Sequence, residues 1–240
     1  LSHFMKILTN ISSGKLISGI SQVLTSFANY TNERQSKIKL IGVDIKTLAS
    51  GDQTSRKLER WQGLRYWSCP VVYPQLSEIL LKSQNLNQFK KNLQPVTDCY
   101  AERLDAEQPD LVLVNGTYYL PWCLITAARE RQIPVVVHYH GSITKESQHW
   151  REERPRLLMQ AMEREFDHTD HRYIFPSVLT KTVVEKEIFG HKVKNFAIIN
   201  NPVPREFFET IPTKNRSQIG LVGRWSVIKN VNFLKRFAKI

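Results

Sequence analysis

The chain has 240 residues, 41% hydrophobic and 23% charged, a globular composition that excludes a disordered polypeptide. No window approaches the roughly 18 uninterrupted apolar residues of a membrane span, and no basic-then-apolar leader is visible, so the expectation is a cytoplasmic protein. Half of the net charge of +12 falls in residues 201–240, where eight Lys/Arg face Glu206 and Glu209; the rest is interleaved with acids, so neither nucleic acid nor tight membrane binding is indicated.

Met5-Lys6-Ile7-Leu8 looks like a natural start, and residues 5–9 read as a first strand. A Ser12-Ser13-Gly14 turn follows, and Ser18-Gly19-Ile20 opens an apolar-periodic helix through Val23, Leu24, Phe27 and Tyr30. A strand, turn and helix in this order can present N–H groups to an anion or a sugar hydroxyl, although a tight connection is the more common reading and the three-glycine dinucleotide fingerprint is absent. Residues 37–43 alternate into a second strand with Asp44 at its carboxyl end. Residues 46–69 show no clear period and read as loop and short helix, with Trp61, Tyr66 and Trp67 as a local aromatic cluster or a sugar-stacking surface. Residues 71–73 form a candidate strand, and 76–81 and 89–104 carry helical spacing. Cys69, Cys99 and Cys123 are widely spaced and read as reduced buried thiols, not disulfides or a zinc site.

Residues 109–142, PDLVLVNGTYYLPWCLITAARERQIPVVVHYHGS, form a complete strand-helix-strand unit. Residues 111–114 and 135–137 are unalternating apolar runs, as buried parallel strands are when helices cover both faces. Asn115-Gly116-Thr117 supplies turn chemistry, and Pro121 fits the first turn of a helix carrying Leu120, Leu124, Ala127 and Ala128. His138 and His140, two apart, should share a direction at the carboxyl end of the sheet, where open α/β folds bind ligands. After Ser142 the chain is polar until Trp150 and then reads as helical through Leu157, Leu158, Ala161, Met162 and Phe166. The run Asp167-His168-Thr169-Asp170-His171 reads as a polar helix end before a metal cluster. Residues 173–175 are a strand, 178–189 a helix stopped by Gly190, and 196–199 a strand. Asn200-Asn201-Pro202-Val203-Pro204 is the best linker; beyond it residues 219–222 begin a strand and 232–240 a helix.

The order of these pieces resembles the retaining glycosyltransferases of family 4, with the two-Rossmann-domain architecture called GT-B. Ser18-Gly19-Ile20 is similar to that family's Gly-Gly turn, with Ser18 in place of the first glycine. PDLVLVN followed by IPVVVHYHG resembles its paired strands ending in histidine, at His140. Residues 170–177 are similar to its strand ending in serine, and Ile198-Ile199-Asn200-Asn201-Pro202-Val203 to its hinge, with Pro202 on the glycine position. GLVGRWSVIKN resembles the opening of the donor-binding domain.

The resemblance implies an α/β fold: a Rossmann-like, mostly parallel sheet with helices on both faces over residues 1–200, a hinge at 201–213, and an incomplete second Rossmann-like domain from 214 to 240. It implies transfer of a sugar from a nucleotide-sugar donor to a glycan or lipid-linked acceptor with retention, in cell envelope polysaccharide synthesis. The protein would be cytoplasmic or weakly peripheral at the inner membrane face. His140 would lie beside the reacting sugar, Arg224 and Lys229 would clasp the donor diphosphate, and Ser13, Gly14, Ser18, Gly19 and Asn115 would line the acceptor side. No Asp-x-Asp occurs, and no metal or other cofactor is expected. The family's two glutamates separated by seven residues have no counterpart here, so this chain alone is expected to be inactive. The rival reading is a non-catalytic α/β module that binds a sugar or nucleotide.

Overall fold

The continuous apolar runs fold as the middle of one sheet. In the computed structural model, which describes residues 4–11, 19–34, 36–48, 55–202 and 209, β1 (Met5–Ile11), β5 (Leu111–Asn115) and β6 (Val135–His138) lie side by side, buried along almost their whole length. The other strands among the described residues are β2 (Ile38–Thr47), β3 (Lys57–Trp61), β4 (Leu64–Val71), β7 (Arg172–Phe175) and β8 (Phe196–Ile198). Their order is β3-β4-β2-β1-β5-β6-β7-β8, and all neighbours are parallel except β3 and β4. The chain divides into two compact units, Leu1–Pro202 and Val203–Ile240, and this sheet belongs to the first.

Helices connect the strands: α1 (Gly19–Glu33), α2 (Leu76–Lys82), α3 (Leu86–Glu107), α4 (Tyr119–Glu130), α5 (Ile143–Ser147), α6 (Glu153–Arg164) and α7 (Val178–Val183), the last running into a π-helical turn, Val184–Phe189, that Gly190 ends at φ 75°. Trp122, Phe89, Tyr100, Met159 and Met162 from α3, α4 and α6 are fully buried with Leu8, Val112 and Val137 in the larger core. On the opposite face Leu24 and Ala28 of α1 pack with Ile7, Leu40 and Leu113. This is a Rossmann-like arrangement: the strand order runs outward from β1 to β4, then restarts on the other side of β1 with β5. The carboxyl ends of β1 and β5 therefore flank the point where the winding reverses, the crevice in which such folds bind ligands.

One stretch differs from its sequence reading. Residues 57–71 are not loop and short helix but a hairpin, β3 and β4, whose two-residue turn Gln62-Gly63 has φ 44° and 82°. Positive φ at both positions is what a primed turn requires, so a glutamine stands where Asn or Asp usually signals it. β4 then joins the parallel sheet beside β2, with Ile41 opposite Arg65 and Thr47 opposite Val71. The second strand is also longer than its apolar alternation suggests, and Asp44 lies buried within it instead of at its end. Cys69, Cys99 and Cys123 are free and buried, as read from the sequence.

Candidate functional site

Asn10 on β1 and Asn115 on β5 meet at the winding reversal. Asn10 Nδ2 donates to the Asn115 carbonyl at 2.9 Å, and the Asn115 N–H donates to Asn10 Oδ1 at 2.8 Å. Both side chains are buried. A side-chain amide here replaces the ladder bonds that two strand ends cannot give one another, which keeps the backbone paired where the strands part.

Asn115 Oδ1 faces outward and lies 2.6 Å from His140 Nε2. With the amide oxygen toward the ring, Nε2 carries the hydrogen and donates, leaving His140 Nδ1 as an acceptor with no protein partner among the described residues. The His138 ring lies beside it, centroids 4.0 Å apart. Burial pushes His140 down to about 3, with the neighbouring His138 adding to the shift, and pushes His138 down to about 4. Both rings are therefore neutral at physiological pH. A base this weak does not strip a proton from a hydroxyl, whereas a neutral ring with a fixed tautomer orients one.

His140 lines a cavity of about 270 Å³ with Ile20, Gly116, Thr117, Tyr118, Gly141, Ile143 and Glu146. The loop after β5 and the loop after β6 form two of its walls. Gly116 makes the first turn possible: its φ of 89° suits glycine, and its N–H donates to the His138 carbonyl at 2.9 Å. The second loop is gathered around Glu163 of α6, whose side chain is inaccessible to solvent. Glu163 accepts from Thr117 Oγ1, Ser142 Oγ and the N–H groups of Ile143 and Thr144. Burial pushes its carboxyl up from the usual range, and these bonds act against that shift. Of the six buried side-chain polar atoms with no partner among the described residues, two lie here: Asn115 Nδ2 and His138 Nε2.

Of the residues singled out in the sequence, the structure brings His140 and Asn115 into direct contact. Gly19 is the first residue of α1, and its neighbour Ile20 lies in the cavity wall, its Cδ1 3.6 Å from where a Cβ on Gly116 would stand. Ser13, Gly14, Ser18, Arg224 and Lys229 lie outside the described residues, as do the strand and helix expected in 219–240. Around residues 167–171, His191 Nε2 is 2.6 Å from Asp167 Oδ2 and His168 Nδ1 is 3.8 Å from Asp170 Oδ2. No group of His, Cys, Asp or Glu among the described residues is arranged to hold a metal.

Sequence reasoning missed Asn10, Thr117 and Glu163. Glu163 had a visible signal, because it falls at helical spacing on the apolar stripe of Met159, Met162 and Phe166, where a carboxylate must find donors. Asn10 had a weaker one, as an amide among the apolar residues of β1.

The family model for Glycosyltransferase Family 4 matches residues 17–207. No curated protein matches the sequence closely enough to count as a relative. Among solved structures, sucrose-phosphate synthase from Thermosynechococcus elongatus is similar with a TM-score of 0.55 at 12% identity, over 82% of this chain and 48% of that one. A structure described as trehalose-6-phosphate from E. coli bound with UDP-2-fluoro glucose is similar with a TM-score of 0.50 at 8% identity, over 85% of this chain and 53% of that one. At these identities the likeness is one of fold, the Rossmann-like architecture of GT-B proteins, and this chain spans about half the length of those structures. The family match, by contrast, runs through β2 to β8 and includes both Asn115 and His140: the chain belongs to Glycosyltransferase Family 4.

Proposed function

We propose that residues 1–200 are the acceptor side of a glycosyltransferase that moves a sugar from a nucleotide-sugar donor to a glycan or lipid-linked acceptor, with retention. The observation that carries this reading is the His140–Asn115 pair, held at the winding reversal in a cavity with a free imidazole acceptor. Such a group receives a hydroxyl of the reacting sugar or acceptor and fixes its direction, and orientation in a near-attack geometry is a large part of what a two-domain transferase contributes. Residues 201–213 act as hinge, and 214–240 open a donor domain whose Arg224 and Lys229 neutralise the departing diphosphate without a metal. The similar structure bound with UDP-2-fluoro glucose supports a nucleotide-sugar as the donor class.

The test is to follow nucleoside diphosphate release from a panel of nucleotide sugars with glycan and lipid-linked acceptors. The purified chain is compared with a polypeptide that adds a complete donor domain. The longer polypeptide turns over and the 240-residue chain does not, and His140→Ala in the longer one lowers kcat/KM by about 10- to 100-fold, the worth of one well-placed hydrogen bond. Full activity of His140→Ala would remove the site from under this reading.

A further inference from the structure

The carboxylate of Glu163 on α6 reaches both loops of the His140 cavity. Its Oε1 accepts from Thr117 Oγ1 at 3.2 Å, in the loop after β5, and from the Ile143 N–H at 3.2 Å, in the loop after β6. Its Oε2 accepts from the Thr144 N–H at 2.7 Å and from Ser142 Oγ at 3.1 Å. Ser142 Oγ in turn accepts from the Lys145 N–H at 3.2 Å, so the start of α5 is satisfied by this side chain and its neighbour together. Four donors around an inaccessible carboxylate leave it no spare acceptor capacity of consequence, and a buried charge is tolerated only when so partnered. The backbone behind it is equally fixed, since Met159 and Met162 of the same helix are fully buried.

We propose that Glu163 is a positioning residue of the transfer site: by binding Thr117 and residues 142–144 at once, it sets the spacing of the two loops between which His140 stands. This rests on the acceptor-side reading of the cavity and adds a part to it. His140 and Gly141 lead directly into the segment that Glu163 grips, and Thr117 Oγ1 also lies 3.4 Å from the Gly141 carbonyl. A helix cap alone would need only the bonds to residues 142–144. The bond to Thr117 couples that cap to Gly116 and Asn115, and through Asn115 to the His140 ring.

The experiment is NMR of the full chain with isotope-labelled histidine, together with amide hydrogen exchange. Glu163→Gln keeps the shape but turns one acceptor oxygen into an amide donor facing other donors. Exchange at the Ile143 and Thr144 amides rises about tenfold or more, and the His140 ring nitrogens leave the pattern of the Nε2–H tautomer. Thr117→Val, which removes the Thr117 hydroxyl's contacts to Glu163 and to the Gly141 carbonyl and leaves the bonds from residues 142–144 in place, shifts the His140 ring while exchange at Ile143 and Thr144 stays near the wild-type rate. If Glu163→Gln speeds exchange with the His140 ring unmoved, Glu163 is a cap only and the proposal is overturned. Should Glu163→Gln fail to fold, Thr117→Val decides alone, and an unmoved ring overturns the proposal. None of these measurements uses a sugar or a nucleotide, so failure of the transferase reading in the turnover assay is a separate result.

Discussion

Asn10 and Asn115, 105 positions apart in the chain, close a ring of two hydrogen bonds across the ends of β1 and β5, one from the side chain of Asn10 and one to it. Everything at the candidate site hangs from that ring, because the side chain of the same Asn115 holds His140. Replacing Asn10 by Leu leaves a buried N–H and a buried carbonyl without partners, each costing about 1–3 kcal/mol. We expect a loss of roughly 2–4 kcal/mol in urea unfolding. An unchanged midpoint for Asn10→Leu would show that the ring carries no stability.

Acid should weaken the fold in a defined window. The depressed values of His138 and His171, both about 4, and of His140, about 3, mean that the folded state holds these rings neutral. The unfolded chain takes up its protons near pH 6.5, before the folded one does. Stability is therefore complete above pH 6.5 and is lost as pH falls from there toward 4, by up to about 1.4 kcal/mol per pH unit for each ring. Urea midpoints at pH 7 and pH 5 test this, and His140→Asn should reduce the difference. A His140 ring that titrates by NMR near pH 6.5 would contradict the burial argument.

Two glycines with positive φ separate stability from function. Gly116 (φ 89°) and Gly63 (φ 82°) both stand in backbone that L side chains rarely adopt, and a Cβ on Gly63 would meet Asn29 Oδ1 at 2.3 Å. Alanine at either should cost about 1–3 kcal/mol in unfolding. Only Gly116→Ala moves the His140 cavity, so it alone should lower kcat/KM in a polypeptide with a complete donor domain. Equal activity losses for the two variants would mean that the cavity is not the site.

The proposed neutralisation of the diphosphate by Arg224 and Lys229 sets an expectation for metal removal. Nucleoside diphosphate release in EDTA should match that in magnesium, while Arg224→Ala and Lys229→Ala each lower it about 10- to 100-fold through loss of a charge-assisted contact. Activity abolished by chelation and restored by a divalent cation would rule out the metal-free reading.

The parallel core was legible because its strands carry their own signal: the apolar runs at 111–114 and 135–137 fold as β5 and β6, and those at 5–9 and 173–175 as β1 and β7. The hairpin over 57–71 was not, since Gln62 hides a primed turn and β3 lies at an edge with mixed exposure, which writes no clean period. His140 and Asn115 were legible from their position after two strands. The partnership between them was not, because a hydrogen bond between residues on neighbouring strand ends depends on register, here Asn115 opposite His138. Glu163 lies further still from view: a lone acid on an apolar stripe announces burial, but its four donors come from two loops that only the fold assembles.

The two margins of the sheet are unlike. At one, β3 presents Lys57, Glu59 and Arg60, and charged residues on a short antiparallel strand discourage a further strand from pairing there. At the other, β8 is three residues long, and Phe196, Ile198 and the following Ile199 are each between a third and about half exposed. Among the described residues the sheet can therefore grow in one direction only. Prepared as residues 1–202, the domain should associate with itself through β8 as its concentration rises, and a lysine in place of Ile198 should keep it monomeric.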